Sequence, residues 1–143
     1  MDLLITLIAF LVTIAILVTV HEFGHFWVAR KLGVKVLRFA IGFGKPLWSK
    51  RSGADNIEYV IAALPLGGYV QMLDEREGEV SPEERHRAFN TQAVWKRFAI
   101  VIAGPLANFI LAALLYTLMF GIGVPAMQPL VTTYPNSPAQ QAG

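Results

Sequence analysis

The chain has 143 residues, of which 55% are hydrophobic, 15% are charged and none is cysteine. Soluble domains carry about 25% charged residues, so this composition argues against an ordinary soluble globule, a disordered chain and a disulfide scaffold. The absence of cysteine excludes thiolate metal sites and cysteine nucleophiles. The net charge of +2 gives no pointer to nucleic acid, because the basic residues flank apolar runs and alternate with acids.

All twelve Lys and Arg residues fall between Arg30 and Arg97. Residues 3–20 and 98–124 carry no charge. Uncharged apolar runs of about eighteen residues or more read as membrane spans. No Lys or Arg precedes Arg30, and Val18-Thr19-Val20-His21 offers no small-residue cleavage pattern. The first run therefore reads as a retained span rather than a cleaved signal. Arg30, Lys31, Lys35 and Arg38 follow it, and Lys96 and Arg97 precede the second run. Basic residues gather on the cytoplasmic side of short loops, which predicts cytoplasmic residues 31–97 and both chain ends on the opposite side.

In chain order, residues 1–32 are expected to form the first transmembrane helix, passing Val20 to about Arg30 and stopping at Gly33. At about 1.5 Å per residue this helix exceeds a hydrocarbon core of about 30 Å. Residues 33–73 form a β-rich, membrane-associated loop, with strands over 34–43, 46–50 and 57–63 and breaks at Gly42, Gly44 and Pro46. Residues 64–70 add an apolar, turn-rich piece in which Gly67 and Gly68 read as turn glycines. Residues 74–97 form a charged cytoplasmic loop and a short amphipathic, interfacial helix. Ser81-Pro82-Glu83-Glu84 has the cap, proline and acidic first turn of a helix running to about Ala88. His86 reads as solvated, and Phe89, Val94, Trp95 and Phe98 as an interfacial surface. Residues 98–124 form the second transmembrane helix, kinked at Pro105, and residues 125–143 a proline-rich extension. The expected fold is a mainly α-helical membrane protein, its two transmembrane helices joined by this cytoplasmic or interfacial β-rich segment.

His21-Glu22-Phe23-Gly24-His25 is an H-E-x-x-H string at the end of the first uncharged run. On a helix, residues four apart share a face, so both imidazoles can reach one ion. Zn²⁺ accepts imidazole nitrogen and keeps a water in catalytic sites, and Glu22 beside that face can take a proton from that water. An ionisable group within a span costs about 2.5–3.5 kcal/mol on the insertion scale. Three of them call for a compensating partner, which a metal ion supplies. His21 lies toward the cytoplasmic end of the span, so hydrolysis there needs a water path from that side. The β-rich segment either shapes that path or acts as an interfacial plug. An exposed strand edge can also hold an unwound substrate by strand addition. Asn108, a strongly polar side chain within the second span, either hydrogen-bonds between helices, the commoner role, or lines the active site.

These features resemble the site-2 protease family of intramembrane zinc metalloproteases. The likeness rests on the H-E-x-x-H string, Gly42-Phe43-Gly44 and Pro65-Leu66-Gly67-Gly68-Tyr69-Val70. It continues through Phe89-Asn90, Trp95-Lys96-Arg97 and Ala103-Gly104-Pro105-Leu106-Ala107-Asn108, and so spans nearly the whole chain. The resemblance implies that His21 and His25 are zinc ligands, Glu22 the catalytic base, the β segment a membrane-reentrant loop, and Asn108 part of a G-x-x-x-N element near the site. It further implies a bacterial inner-membrane location and single-span membrane substrates such as an anti-sigma factor, cut in regulated, stress-linked proteolysis. The family's third zinc ligand is an aspartate in an L-D-G motif on a later span, and no acid follows Glu84 here. Residues 136–143 resemble the opening of a periplasmic PDZ domain. The expectation is an N-terminal portion of a longer or divided enzyme, inactive alone, whose remainder supplies the Asp ligand. Two other readings differ in their consequences. A non-catalytic metal-binding or assembly module would keep its activity in Glu22→Gln, and a purely structural pair of spans would bind no stoichiometric zinc.

Overall fold

The computed structural model describes residues 2–123. The element order is α1 (Asp2–Lys31), β1 (Val36–Ser52), β2 (Ile57–Met72), a single 3-10 turn (Arg85–Arg87) and α2 (Val94–Ile122). Both α-helices are long and apolar enough to cross a membrane, and the two strands form a small antiparallel sheet between them. The expected extension over residues 125–143, with its PDZ-like opening, lies outside the described residues.

α1 is apolar around its whole circumference through its first half, the pattern of a helix surrounded by lipid or other apolar partners. It ends in a Schellman motif. Gly33 takes φ +85°, its N–H donates to Arg30 O, and the Val34 N–H donates to Ala29 O. The cap turns the chain so that Val34, 1% exposed, drops into the core beside Ala29. At the same end, Lys96 Nζ donates to the Leu32 carbonyl at 3.3 Å, placing a cation on the negative helix terminus.

The three expected strands are organised differently. β1 runs without interruption through Gly42, Gly44 and Pro46, and the turn-rich piece after Ala63 belongs to β2. Gly42 explains the first difference. Its φ is +88°, and a Cβ there would meet Leu64 O at 2.7 Å, so glycine bends the strand sharply while pairing continues. The bends give residues 38–41 neighbours on both sides: Phe39 opposes Val70 and Tyr59, and Ala40 opposes Tyr69 and Val60. Residues 48–52 complete the ladder against residues 57–61.

The core sits where this sheet meets the C-terminal third of α1. Phe26, Ala29, Val34, Val36, Phe39, Ile57 and Ile100 form one buried cluster. Phe26 meets Phe39 at a 60° tilt with ring centroids 5.1 Å apart, and meets Tyr59 edge-on at 6.0 Å. Burying such side chains contributes about 1.5–3 kcal/mol each, which anchors the sheet beside the H-E-x-x-H turn.

The segment after β2 is less helical than its sequence suggests. In place of a helix from Ser81 to Ala88 there is only the 3-10 turn, with no side-chain cap. Tertiary hydrogen bonds take its backbone groups instead: Lys35 N–H to Arg87 O at 3.0 Å, and Phe89 N–H to Leu73 O at 2.6 Å. Phe89, expected on the interface, packs against the core, whereas Val94, Trp95 and Phe98 are exposed. Arg87 binds Asp55 through two parallel hydrogen bonds of 2.7 and 2.8 Å. Lys35 pairs with Glu84, and Arg85 with Glu75. The charged loop is therefore laced to the sheet, and His86 stays exposed. α2 begins at Val94, four residues before the uncharged run, so Lys96 and Arg97 occupy its first turn, and it continues through Pro105.

Candidate metal centre

α1 and α2 approach most closely through small residues. A Cβ added to Gly24 would meet Ala103 C and Ala107 Cβ at 2.9 Å, so the helix faces touch backbone to backbone. Gly24, Ala103 and Gly104 are all buried there. This contact brings the H-E-x-x-H turn against the Ala103-Gly104 step of α2.

His21 and His25 share one face of α1, with ring centroids 4.8 Å apart and planes at 80°. The His25 Nδ1 lies 2.7 Å from the Ile100 carbonyl oxygen. A carbonyl only accepts, so in the neutral ring the proton sits on Nδ1 and the Nε2 lone pair is free. This is the orienting hydrogen bond that metal-binding histidines commonly make. His21 Nδ1 lies 3.4 Å from Asn108 Nδ2. Both Nε2 atoms converge on Gly104, each within 2.8 Å of the point where a Cβ would sit. Two imidazoles tied at Nδ1 with Nε2 atoms gathered at one place suit a divalent ion that takes imidazole nitrogen. Among the described residues, no three His, Cys, Asp or Glu side chains come together as a ligand set.

Glu22 lies between two cavities and lines both. The larger, about 760 Å³, runs from Glu22 and His25 past Tyr69 to Asp74 and Arg76 in the charged loop. The smaller, about 420 Å³, is bounded by His21, Asn108, Phe43, Leu66 and Gly68. The larger cavity joins Glu22 to the charged loop. At its wall, Arg38 donates to Glu58 at 2.8 Å and to the Tyr69 hydroxyl at 3.1 Å, contacts that raise its pKa further. Asp74 is held below the usual carboxylate range, chiefly by hydrogen bonds from the Arg76 side chain, so this wall stays ionised near neutrality.

The expected residues thus come together: His21, Glu22 and His25 on one turn, with Asn108 against His21. Gly67 and Gly68 are not turn residues. They lie within β2, where a Cβ on Gly68 would meet Ala40 O at 2.8 Å and Glu22 Cγ at 3.0 Å. The missing side chain lets the strand lie directly on the glutamate. The Ile100 carbonyl and the close seat of Gly104 escape residue-by-residue reading, since neither a backbone acceptor nor a helix-helix approach leaves a mark on composition. The Ala103-Gly104-Pro105 string was their only signal.

Comparison with known proteins gives a consistent result. Residues 9–139 match Peptidase family M50. The chain is 57% identical over 143 residues to "Protease RseP" of Yersinia pestis, covering 99% of this chain and 32% of that protein. It is 59% identical over 125 residues to "Regulator of sigma-E protease RseP" of Escherichia coli (strain K12), covering 87% of this chain and 28% of the relative. A "Putative zinc metalloprotease" of Vibrio cholerae is 55% identical over 143 residues, 99% of this chain and 31% of the relative. The chain spans about a third of the length of these relatives.

Proposed function

The chain belongs to Peptidase family M50, and from that membership and the site geometry we propose that it carries the catalytic turn of an intramembrane zinc endopeptidase. The observation that carries this reading is the convergence of the His21 and His25 Nε2 atoms beside Glu22, within a helix otherwise apolar enough to span a bilayer. His21 and His25 would hold the zinc, with an aspartate from the remainder of a longer or divided enzyme as the third ligand. When bound, zinc lowers the pKa of its water toward about 7 and polarises the scissile carbonyl. Glu22 accepts a proton from the attacking water at a carboxylate oxygen and returns it to the leaving amide nitrogen. The Ile100 carbonyl fixes the His25 ring during this exchange, and Gly68 seats the Glu22 stem.

The substrate is a transmembrane segment of a single-span protein of anti-sigma-factor type, a reading supported by the sigma-E names of the relatives. The basic residues between Arg30 and Arg97 support a cytoplasmic sheet and charged loop, with the site near that face of the inner membrane. The test is cleavage of a single-span substrate by the full-length protein in detergent or nanodiscs. Glu22→Gln is expected to lower turnover about 10²–10⁴-fold while zinc remains bound. Undiminished cleavage by Glu22→Gln would assign the His pair to metal binding or assembly instead.

A further inference from the structure

The two histidines are not held alike. His25 Nδ1 faces a carbonyl, which can only accept, so its Nε2 lone pair is free for a metal. His21 Nδ1 faces the Asn108 amide nitrogen at 3.4 Å, and a nitrogen that donates there would force the His21 proton onto Nε2. That tautomer cannot bind a metal through the atom that converges with His25 on Gly104. Meanwhile the Asn108 Oδ1 is buried without a hydrogen-bond partner. A buried acceptor without a donor has lost its water and gained no bond in exchange, so this orientation of the amide is the disfavoured one. A half-turn of the amide exchanges the two atoms. The oxygen then faces His21 Nδ1, and the nitrogen takes the position that no donor reaches. Helix N–H groups have no second hydrogen, so the carbonyl is the harder of the two groups to satisfy in that direction.

We propose that Asn108 is the positioning residue of His21: its Oδ1 accepts the Nδ1–H and so presents Nε2 to zinc, as the Ile100 carbonyl does for His25. The proposal rests on the zinc reading above and extends it to the residue that sets the second imidazole. Removing such an outer partner typically lowers metal affinity 10–100-fold.

The experiment is zinc affinity of the full-length protein by chelator competition, for wild type, Asn108→Leu and Asn108→Asp, with thermal unfolding measured alongside. Asn108→Leu is expected to weaken zinc 10–100-fold, and Asn108→Asp, which keeps an acceptor and lacks the donor, to restore affinity to within a few-fold of wild type. A second measurement needs no variant. ¹⁵N-histidine spectra of the zinc-free wild type, with the rings neutral, are expected to show His21 protonated at Nδ1 and bare at Nε2. Unchanged affinity in a folded Asn108→Leu, loss in Asp equal to that in Leu, or a His21 proton on Nε2 overturns the proposal. Wild type that takes up no zinc through His21 and His25 overturns the metalloprotease reading itself, and this proposal with it.

Discussion

Gly104 of α2 lies against the His25 imidazole with no room for a side chain, since a Cβ there would sit 2.5 Å from the ring's Cε1. The ring cannot swing away freely, because its Nδ1 is tied to the Ile100 carbonyl one turn earlier on the same helix. The glycine therefore sets both the helix spacing and the place where the two Nε2 atoms meet.

Gly104→Ala is accordingly expected to push both imidazoles aside and to weaken zinc at least tenfold in the full-length protein. Overpacking of this kind costs about 1–3 kcal/mol, so the fold persists while the site loosens. Zinc retention against a chelator series measures it. Wild-type retention would show that the helices part without disturbing the ligands.

Gly68→Val is a test of the other side of the site. The added side chain would collide with Ala40 O and crowd Glu22 Cγ, shifting the proposed base while leaving His21 and His25 untouched. Turnover is expected to fall at least tenfold with zinc stoichiometry intact, since misplacing a reacting group by about 1 Å can cost 10²-fold. Loss of zinc together with turnover would mean that the strand supports the whole turn and not the glutamate alone.

Phe26→Ala removes the ring that joins α1 to Phe39 and Tyr59. Truncating a buried phenylalanine costs about 3–5 kcal/mol. Release of the sheet from α1 is expected to open the start of β2 at Ile57, buried in the folded protein, to limited proteolysis. An unchanged digestion pattern would place the anchoring elsewhere in the cluster.

The Asp55–Arg87 pair predicts a pH dependence. Hydrogen bonds from Arg87 hold the Asp55 carboxyl below the ordinary carboxylate range. The pair's contribution is present above the unfolded carboxylate pKa of about 3.9 and fades as pH falls through the lower folded value. Asp55→Asn is expected to destabilise the loop by about 1 kcal/mol at neutral pH. Hydrogen exchange of the Lys35 amide, which donates to Arg87 O, reports it. The difference from wild type is expected to shrink below about pH 4, and a difference that grows there would contradict the assignment.

The features written locally along the chain were legible before any coordinates. Two uncharged runs marked the two long apolar helices, and a four-residue interval put two imidazoles on one helical face, because hydropathy and helical periodicity need no knowledge of distant residues. Strand composition located the sheet, but Gly42 and Gly44 bend β1 where their sequence reads as strand breaks. The helix expected after Ser81 gave way to a 3-10 turn because distant partners, Lys35 and Leu73, claim backbone groups that a helix would have used. What holds the site was decided only in three dimensions. His25 meets a carbonyl 75 residues away and His21 an amide 87 residues away. Those meetings depend on how closely two helices cross and on which atoms lack room for a Cβ, quantities that arise from packing and have no period in the sequence.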